Sequence, residues 1–376
     1  MARILFTSTL GSPAWAGSEV LWFKSAQELT RRGHTVAATL PEQMRTPENC
    51  SKLEASGITA QWNALDKLRY TGVRLSRRFR PKSPTAIAPI VRHATQWRAD
   101  IAVLSQASCW GAYSEMLALE SKGIPYIGIS QLNTPFSWPR DPLFEEVGNA
   151  FTKAKAAIFV SKANLELFEN QIAKELKNAQ IIFNPPSFDT TVSCGPVKGD
   201  AMKLLNVARI DPSHKGQDLI LDVLGLEKWR TRNVSLTIAG EGNSRWIKAL
   251  IASKNLQGSV HLLGHVDELK PHWEDSAFGI FPSRYEGMPL ALIEGMSLGR
   301  ANVATDVAGH REWINHGECG FLSSGCTVSS LDHAMEEAWN SREIATQLGE
   351  SARKRAMGLL KDDPAAKLAD IIETHC

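Results

Sequence analysis

Two cations and two carboxylates carry the chemistry this sequence suggests. Arg209 and Lys215 stand six residues apart across a turn containing Pro212, and further on seven residues separate Glu286 from Glu294. Two long cations so placed can hold one diphosphate, the guanidinium in bidentate fashion and the ammonium as a point charge. An ionised carboxylate is costly to bury without partners. A glutamate in a turn followed by another inside an apolar helix therefore calls for hydroxyl donors, such as those of a sugar or a ribose. The residues between the glutamates suit the same ligand. Pro289 predicts a helix start, and Leu290, Leu292, Ile293, Met296 and Leu298 give that helix an apolar face, with Gly299 closing it. The backbone N–H groups of Gly287, Met288 and Leu290 are then expected to converge at a helix N-terminus, where an anion is favoured.

The elements that must position these residues alternate between strand and helix. From Ala2 the chain reads strand, loop, helix (Val20 to Arg32), turn and strand, a βαβ opening. Short apolar runs at Asp100 to Ser105, Tyr126 to Ser130, Ala156 to Ser161 and Gln180 to Phe183 continue a parallel sheet, with helices at Tyr113 to Lys122 and Lys162 to Glu175. Asn184-Pro185-Pro186-Ser187 interrupts the pattern. A second series starts at Met202, and its strands lead into the Arg209 turn, into Gly240-Glu241-Gly242, into VHLLGHV with His265, and into the Phe281 to Gly299 stretch. Small residues at the carboxyl end of such strands let a ligand approach the crevice of an open α/β sheet.

The segment Phe281 to Gly299 resembles the signature of the GT-B retaining glycosyltransferases of the family 4, or group 1, type. In those proteins Pro-Ser, E-G, E-G-M and a closing Gly recur at these offsets. Ala16-Gly17-Ser18-Glu19 looks like their opening G-G-x-E with Ala for the first Gly, and LLNVARIDPSHKGQD resembles their strand that ends in Arg and leads to Lys-Gly. The resemblance implies an α/β fold of GT-B architecture, two doubly wound Rossmann-like parallel-sheet domains facing each other across a cleft. We place an acceptor-binding domain at 1–186, a nucleotide-sugar donor-binding domain at 187–355, and a C-terminal helix at 356–376 packing back on the first domain. It also implies a retaining transferase that moves a hexose-type sugar from a UDP- or GDP-sugar to a hydroxyl of a glycan, a lipid-linked or a small-molecule acceptor. Arg209, Lys215 and Glu286 would be catalytic. Gly17, Gly240, Gly242, His265, Gly287, Met288, Pro289, Leu290 and Glu294 would bind the donor. A sugar-nucleotide epimerase and a non-catalytic sugar-nucleotide binder are the alternatives on the same architecture.

On the acceptor side Trp15, Gln131 and Asn133 are candidates. Gln131 stands where the resembling proteins commonly present a His, and an amide can hydrogen-bond a sugar but carries no proton or charge. No Asp-x-Asp occurs, and the six cysteines are scattered without a C-x2-C pair, so we expect no metal, no other cofactor and no disulfide framework. A dinucleotide G-x-G-x-x-G is absent as well.

The 376 residues suggest two domains, and 43% hydrophobic content suffices for two cores. A net charge of +2 gives no global sign of a nucleic-acid partner. No apolar run reaches the roughly eighteen residues of a membrane span, so a soluble or at most peripheral protein is expected, and the scattered cysteines point to a reducing, cytoplasmic setting. Lys67 to Ala99 holds nine Lys or Arg and no acid. It reads as an exposed excursion, with peripheral contact to an acidic inner-membrane face as its sharper meaning.

Overall fold

The computed structural model describes residues 1–10, 15, 17–63, 88–107, 110–186 and 189–376, which divide into two units. The first comprises Met1–Pro185 and Asp363–Cys376, the second Pro186–Asp362.

The first unit is built on seven parallel strands: β1 (Arg3–Ser8), β2 (Thr35–Pro41), β3 (Thr59–Asn63), β4 (Ile101–Gln106), β5 (Tyr126–Ser130), β6 (Ala156–Phe159) and β7 (Ala179–Ile181). Their order is β3-β2-β1-β4-β5-β6-β7. Successive strand residues point to opposite faces, and both faces are covered. Ile4 and Phe6 join one apolar cluster while Leu5 joins the other, and Ile101 and Val103 part from Ala102 and Leu104 in the same way. That is why these strands read as continuous apolar runs. β3 has no such run. It is an edge strand with no fully buried residue, paired only to β2, and the sequence reading passes over it.

The second unit repeats the plan with β8 (Met202–Val207), β9 (Val234–Ala239), β10 (Val260–Gly264), β11 (Phe278–Phe281), β12 (Ala301–Thr305) and β13 (Gly320–Ser323). The order is β10-β9-β8-β11-β12-β13. Each sheet therefore has its topological switch beside its first strand, between β1 and β4 and between β8 and β11. Ligands of open α/β sheets bind outside the carboxyl ends of the strands at such a point.

The chain leaves the first unit at Pro185 and rejoins it at Asp363, not at 356. The helix Ala345–Leu359 belongs to the second unit, where Ala345 and Leu348 join the core. The helix Pro364–Thr374 lies on the helix Gly17–Arg31 and contributes Leu368, Ala369 and Ile372 to the first unit's core. Arg32 pairs there with Asp370 and Glu373, and His34 with Glu373. Most of the basic segment, residues 67–87, lies outside the described residues, as does Ala16.

Candidate active site

The carboxyl ends of β8 and β11 bring Lys215 and Glu286 together. Lys215 ends a one-turn helix, Pro212–Lys215, which Gly216 caps in the left-handed conformation at φ +67°. A Cβ at Gly216 would lie 2.0 Å from the Pro282 carbonyl oxygen, so the turn can pass the end of β11 only with glycine there. Buried amides fix the rest of the loop. Asn206 donates to the Ile280 carbonyl at 2.6 Å, and Gln217 to the Arg209 carbonyl at 2.9 Å. Arg284 grips Asp218 with two hydrogen bonds of 2.8 and 2.7 Å, tying the β11 loop to the helix that follows Lys215.

Within this frame Lys215 Nζ donates to Glu286 Oε1 at 2.5 Å, and Ser283 Oγ donates to the same oxygen at 2.8 Å. Ser283 is held in turn by Thr305, whose hydroxyl donates to the Ser283 carbonyl at 2.6 Å. Burial alone pushes the Glu286 carboxyl up. The Lys215 ammonium, with His214 beside the carboxylate, outweighs it and holds Glu286 well below the usual carboxylate range. The site therefore carries a fixed anion against a fixed cation.

Arg209 does not join that pair. Its side chain is 65% exposed and meets Asp211 at 3.2 Å. Gly240 and Gly242 support its loop: a Cβ at either would lie 2.1 or 2.3 Å from the carbonyl oxygens of Ala208 and Ile210. Their φ angles of +148° and +138° and the parallel bridge between Ile210 and Gly242 go with that close approach. His265 is 71% exposed beside Asp267 and lies in no stack among the described residues.

The helix after Glu286 runs Leu290–Ser297 with Pro289 as its N-cap, one residue later than the sequence reading places its start. Pro289, at φ −83° and ψ 73°, makes an inverse γ-turn in which the Leu290 N–H donates to the Met288 carbonyl at 3.0 Å. The expectation that Leu290 offers its N–H to an anion is thereby corrected. Gly287, Met288 and Pro289 are buried at this turn, and Gly299 closes the helix at φ +85°. Glu294 is half-buried in the helix, and no cation pairs with it among the described residues. Burial pushes its carboxyl up to about 7, with the Trp273 indole opposing.

In the first unit the candidate side chains are already engaged. The Gln131 amide donates to the Ser18 carbonyl at 3.0 Å and accepts from Asn184 at 2.8 Å. Asn133 bonds Asn164 through both its backbone and its side-chain nitrogen, and accepts from Ser130. Trp15 packs against Trp22 and Phe23. Gly17 opens its helix two residues before Glu19, a carboxyl 1% exposed. Glu19 accepts from Ser8 and Ser18 at 3.0 and 3.2 Å and from the Trp22 indole at 2.7 Å, and burial pushes it up to about 7.

Two imidazoles at the Glu286 site escape the sequence reading. His214 stacks on Tyr285 with its Nε2 3.7 Å from Glu286 Oε2. His310 is fully buried, donates from Nδ1 to the Thr305 carbonyl at 2.7 Å, and is kept neutral by that burial against the pull of Glu286. Histidines at turn positions give no periodic signal, and only their proximity to the Glu286 motif could have marked them.

Residues 201–341 match the family model described as Glycosyl transferases group 1. Over that stretch the chain is similar to the group 1 glycosyltransferases. The Lys215–Glu286 pair lies inside the matched region. Among curated relatives of these glycosyltransferases, EpsD of Bacillus subtilis, provisionally named a glycosyltransferase, is 27% identical over 43% of either chain. The poly(ribitol-phosphate) alpha-N-acetylglucosaminyltransferase of Staphylococcus aureus is 28% identical over 40% of this chain and 30% of its own. The chain thus spans under half the length of these two relatives. The solved structure of Anabaena HepE with UDP superposes with a TM-score of 0.75 over 99% of both chains at 17% identity. The fold is GT-B.

Proposed function

We propose that this chain is a retaining glycosyltransferase of the family 4 type that moves a hexose from a UDP- or GDP-sugar to a hydroxyl of a glycan, glycolipid or small molecule, without a metal ion. The observation that carries this is the pairing of Lys215 with the buried Glu286 at the switch between β8 and β11. Departure of a nucleoside diphosphate develops negative charge on its β-phosphate, and preorganised donors aimed at that charge are commonly the largest catalytic term. Lys215 and Arg209 supply it. Glu286, kept ionised, accepts from hydroxyls of the donor sugar, and Glu294 accepts from the ribose. The departing phosphate deprotonates the acceptor hydroxyl on the face it leaves, which retains the anomeric configuration. Neither glutamate acts as the nucleophile of a two-carboxylate glycosidase.

The HepE structures, with UDP alone and with UDP and glucose, support a uridine donor. A relative from Campylobacter jejuni, named as a transferase acting on a diphospho-undecaprenol, supports a lipid-linked acceptor. Such an acceptor gives the basic 67–99 segment a role at an acidic inner-membrane face, with the protein otherwise cytoplasmic. No helix among the described residues is long and apolar enough to cross a membrane.

The test is a thermal-shift screen against UDP, GDP, ADP, CMP and dTDP with and without EDTA, because a ligand that binds only the folded state raises its apparent stability. We expect stabilisation by UDP or GDP that survives EDTA, followed by transfer from the matching sugar nucleotide. Stabilisation that vanishes on chelation would refute the metal-free mechanism, and none with any nucleotide would refute the donor site.

A further inference from the structure

The Lys215–Glu286 pair has a neighbour placed to replace one of its members. His214 Nε2 is buried, has no hydrogen-bond partner among the described residues, and lies 3.7 Å from Glu286 Oε2. The ring cannot drift, because it lies flat on Tyr285, with centroids 4.2 Å apart and planes 1° from parallel. Its backbone is held as well: the His214 carbonyl accepts from Arg284 N–H at 2.8 Å, and Arg284 is locked to Asp218. A buried polar atom left without a partner is costly. Here that atom is aimed at a carboxylate less than 1 Å beyond ordinary hydrogen-bond reach.

We infer that His214 is a positioning residue that takes hold of Glu286 when a nucleoside diphosphate sugar occupies the site, an assignment that rests on the donor-site proposal above. The Lys215 ammonium holds Glu286 Oε1. A diphosphate offers that ammonium more negative charge than one carboxylate does, and as Lys215 turns to it Glu286 loses its cation. The freed carboxylate then swings Oε2 the short distance onto the fixed His214 Nε2–H. Ser283 keeps Oε1 in place, and the carboxylate stays ionised and oriented for the hydroxyls of the sugar. His214 thus acts on the sugar through Glu286, while the phosphates are left to Lys215.

The full-length protein, His214→Ala and His214→Gln are titrated calorimetrically with UDP and GDP and then with UDP-glucose and GDP-mannose, and slow hydrolysis of the bound donor is followed. Glutamine can place an amide N–H near the position of Nε2. We expect affinity for the nucleotide alone to stay within about twofold in all three proteins. Donor hydrolysis and the extra affinity due to the sugar should fall about tenfold to a hundredfold in His214→Ala, the scale of one charge-assisted hydrogen bond, and recover in His214→Gln. Equal sugar-nucleotide behaviour of His214→Ala and the parent protein overturns the assignment. So does a parallel loss for nucleotide and sugar nucleotide, which would make His214 part of the loop's frame only. Failure of the parent protein to bind either nucleotide overturns the donor site itself, and His214 falls with it.

Discussion

Glu19 in the first unit and Glu286 in the second are both buried near a topological switch, and the two are charged differently. Glu19 follows β1 and is met by neutral donors, the hydroxyls of Ser8 and Ser18 and the Trp22 indole. Glu286 follows β11 and is met by the Lys215 ammonium, a serine and two imidazoles. Burial acts on both in the same direction. Neutral hydrogen bonds do not offset it, and Glu19 is pushed up to about 7. A cation at 2.5 Å does offset it, and Glu286 stays below the ordinary range. Depth therefore does not decide the charge of a buried carboxyl; the charge of its partner does. Glu19 can carry a proton while it pins β1 to its helix, whereas Glu286 is an obligate anion, the form that accepts hydroxyl hydrogen bonds.

Removing the cation breaks this comparison most severely. Lys215→Met leaves the buried Glu286 without its ammonium, and deleting one partner of a buried pair costs about 3–5 kcal/mol, an upper bound for a lysine that keeps 22% of its side chain exposed. We expect the Glu286 carboxyl to rise toward the behaviour of Glu19, the second unit to lose stability on that scale in urea, and turnover to fall by about a hundredfold or more, the size of losing one transition-state donor. Unchanged stability and turnover would mean that the ammonium does not set the charge of Glu286.

The Glu19 half of the comparison is sharpened by pH. Glu19 binds its proton more tightly folded than unfolded, so its contribution to stability is full below about 4.5. It is lost as pH rises toward about 7, and the shift between those values is worth about 3 kcal/mol. Glu19→Gln should remove that decline, giving a flatter urea midpoint against pH for the first unit. A variant whose midpoint still falls by the parent's amount between those pH values would show that Glu19 is not the titrating group.

The difference between these glutamates is hidden in the sequence for a physical reason. Strands buried on both faces announce themselves as apolar runs, and the order of loops after them follows from the βαβ alternation, so both sheets and the approach of Lys215 to the Glu286 loop could be anticipated. Edge strand β3 could not, since TAQWN lacks the run. Partners could not be read either. Gln131 and Asn133 look available after a strand, but spend their amides on Ser18, Asn184 and Asn164. The return point at Asp363 was missed for a related reason. The helices Ala345–Leu359 and Pro364–Thr374 both carry an apolar face, and a face does not say which core it meets. Gly240 and Gly242 were marked by their turn, while their close approaches to Ala208 and Ile210, and that of Gly216 to Pro282, emerge only in three dimensions.

Glu294 stands between the two extremes and gives the mildest test. It is half-buried, has no cation beside it among the described residues, and is pushed up to about 7 by burial, like Glu19, yet it lies on the helix that follows Glu286. A ribose hydroxyl donating to this carboxyl favours its ionised form. Nucleotide binding should then lower its pKa, take up the ionised protein and weaken as pH falls below about 7. Between pH 8 and pH 6 we expect the Kd for UDP or GDP to rise by up to about tenfold, the ceiling for one titrating group over one unit below its pKa. Glu294→Gln should bind more weakly at pH 8 and show almost none of that dependence. A parent protein whose nucleotide affinity is flat from pH 6 to pH 8 would remove Glu294 from the ribose. Its raised carboxyl would then belong with Glu19, a proton carried inside the fold and not a contact for the donor.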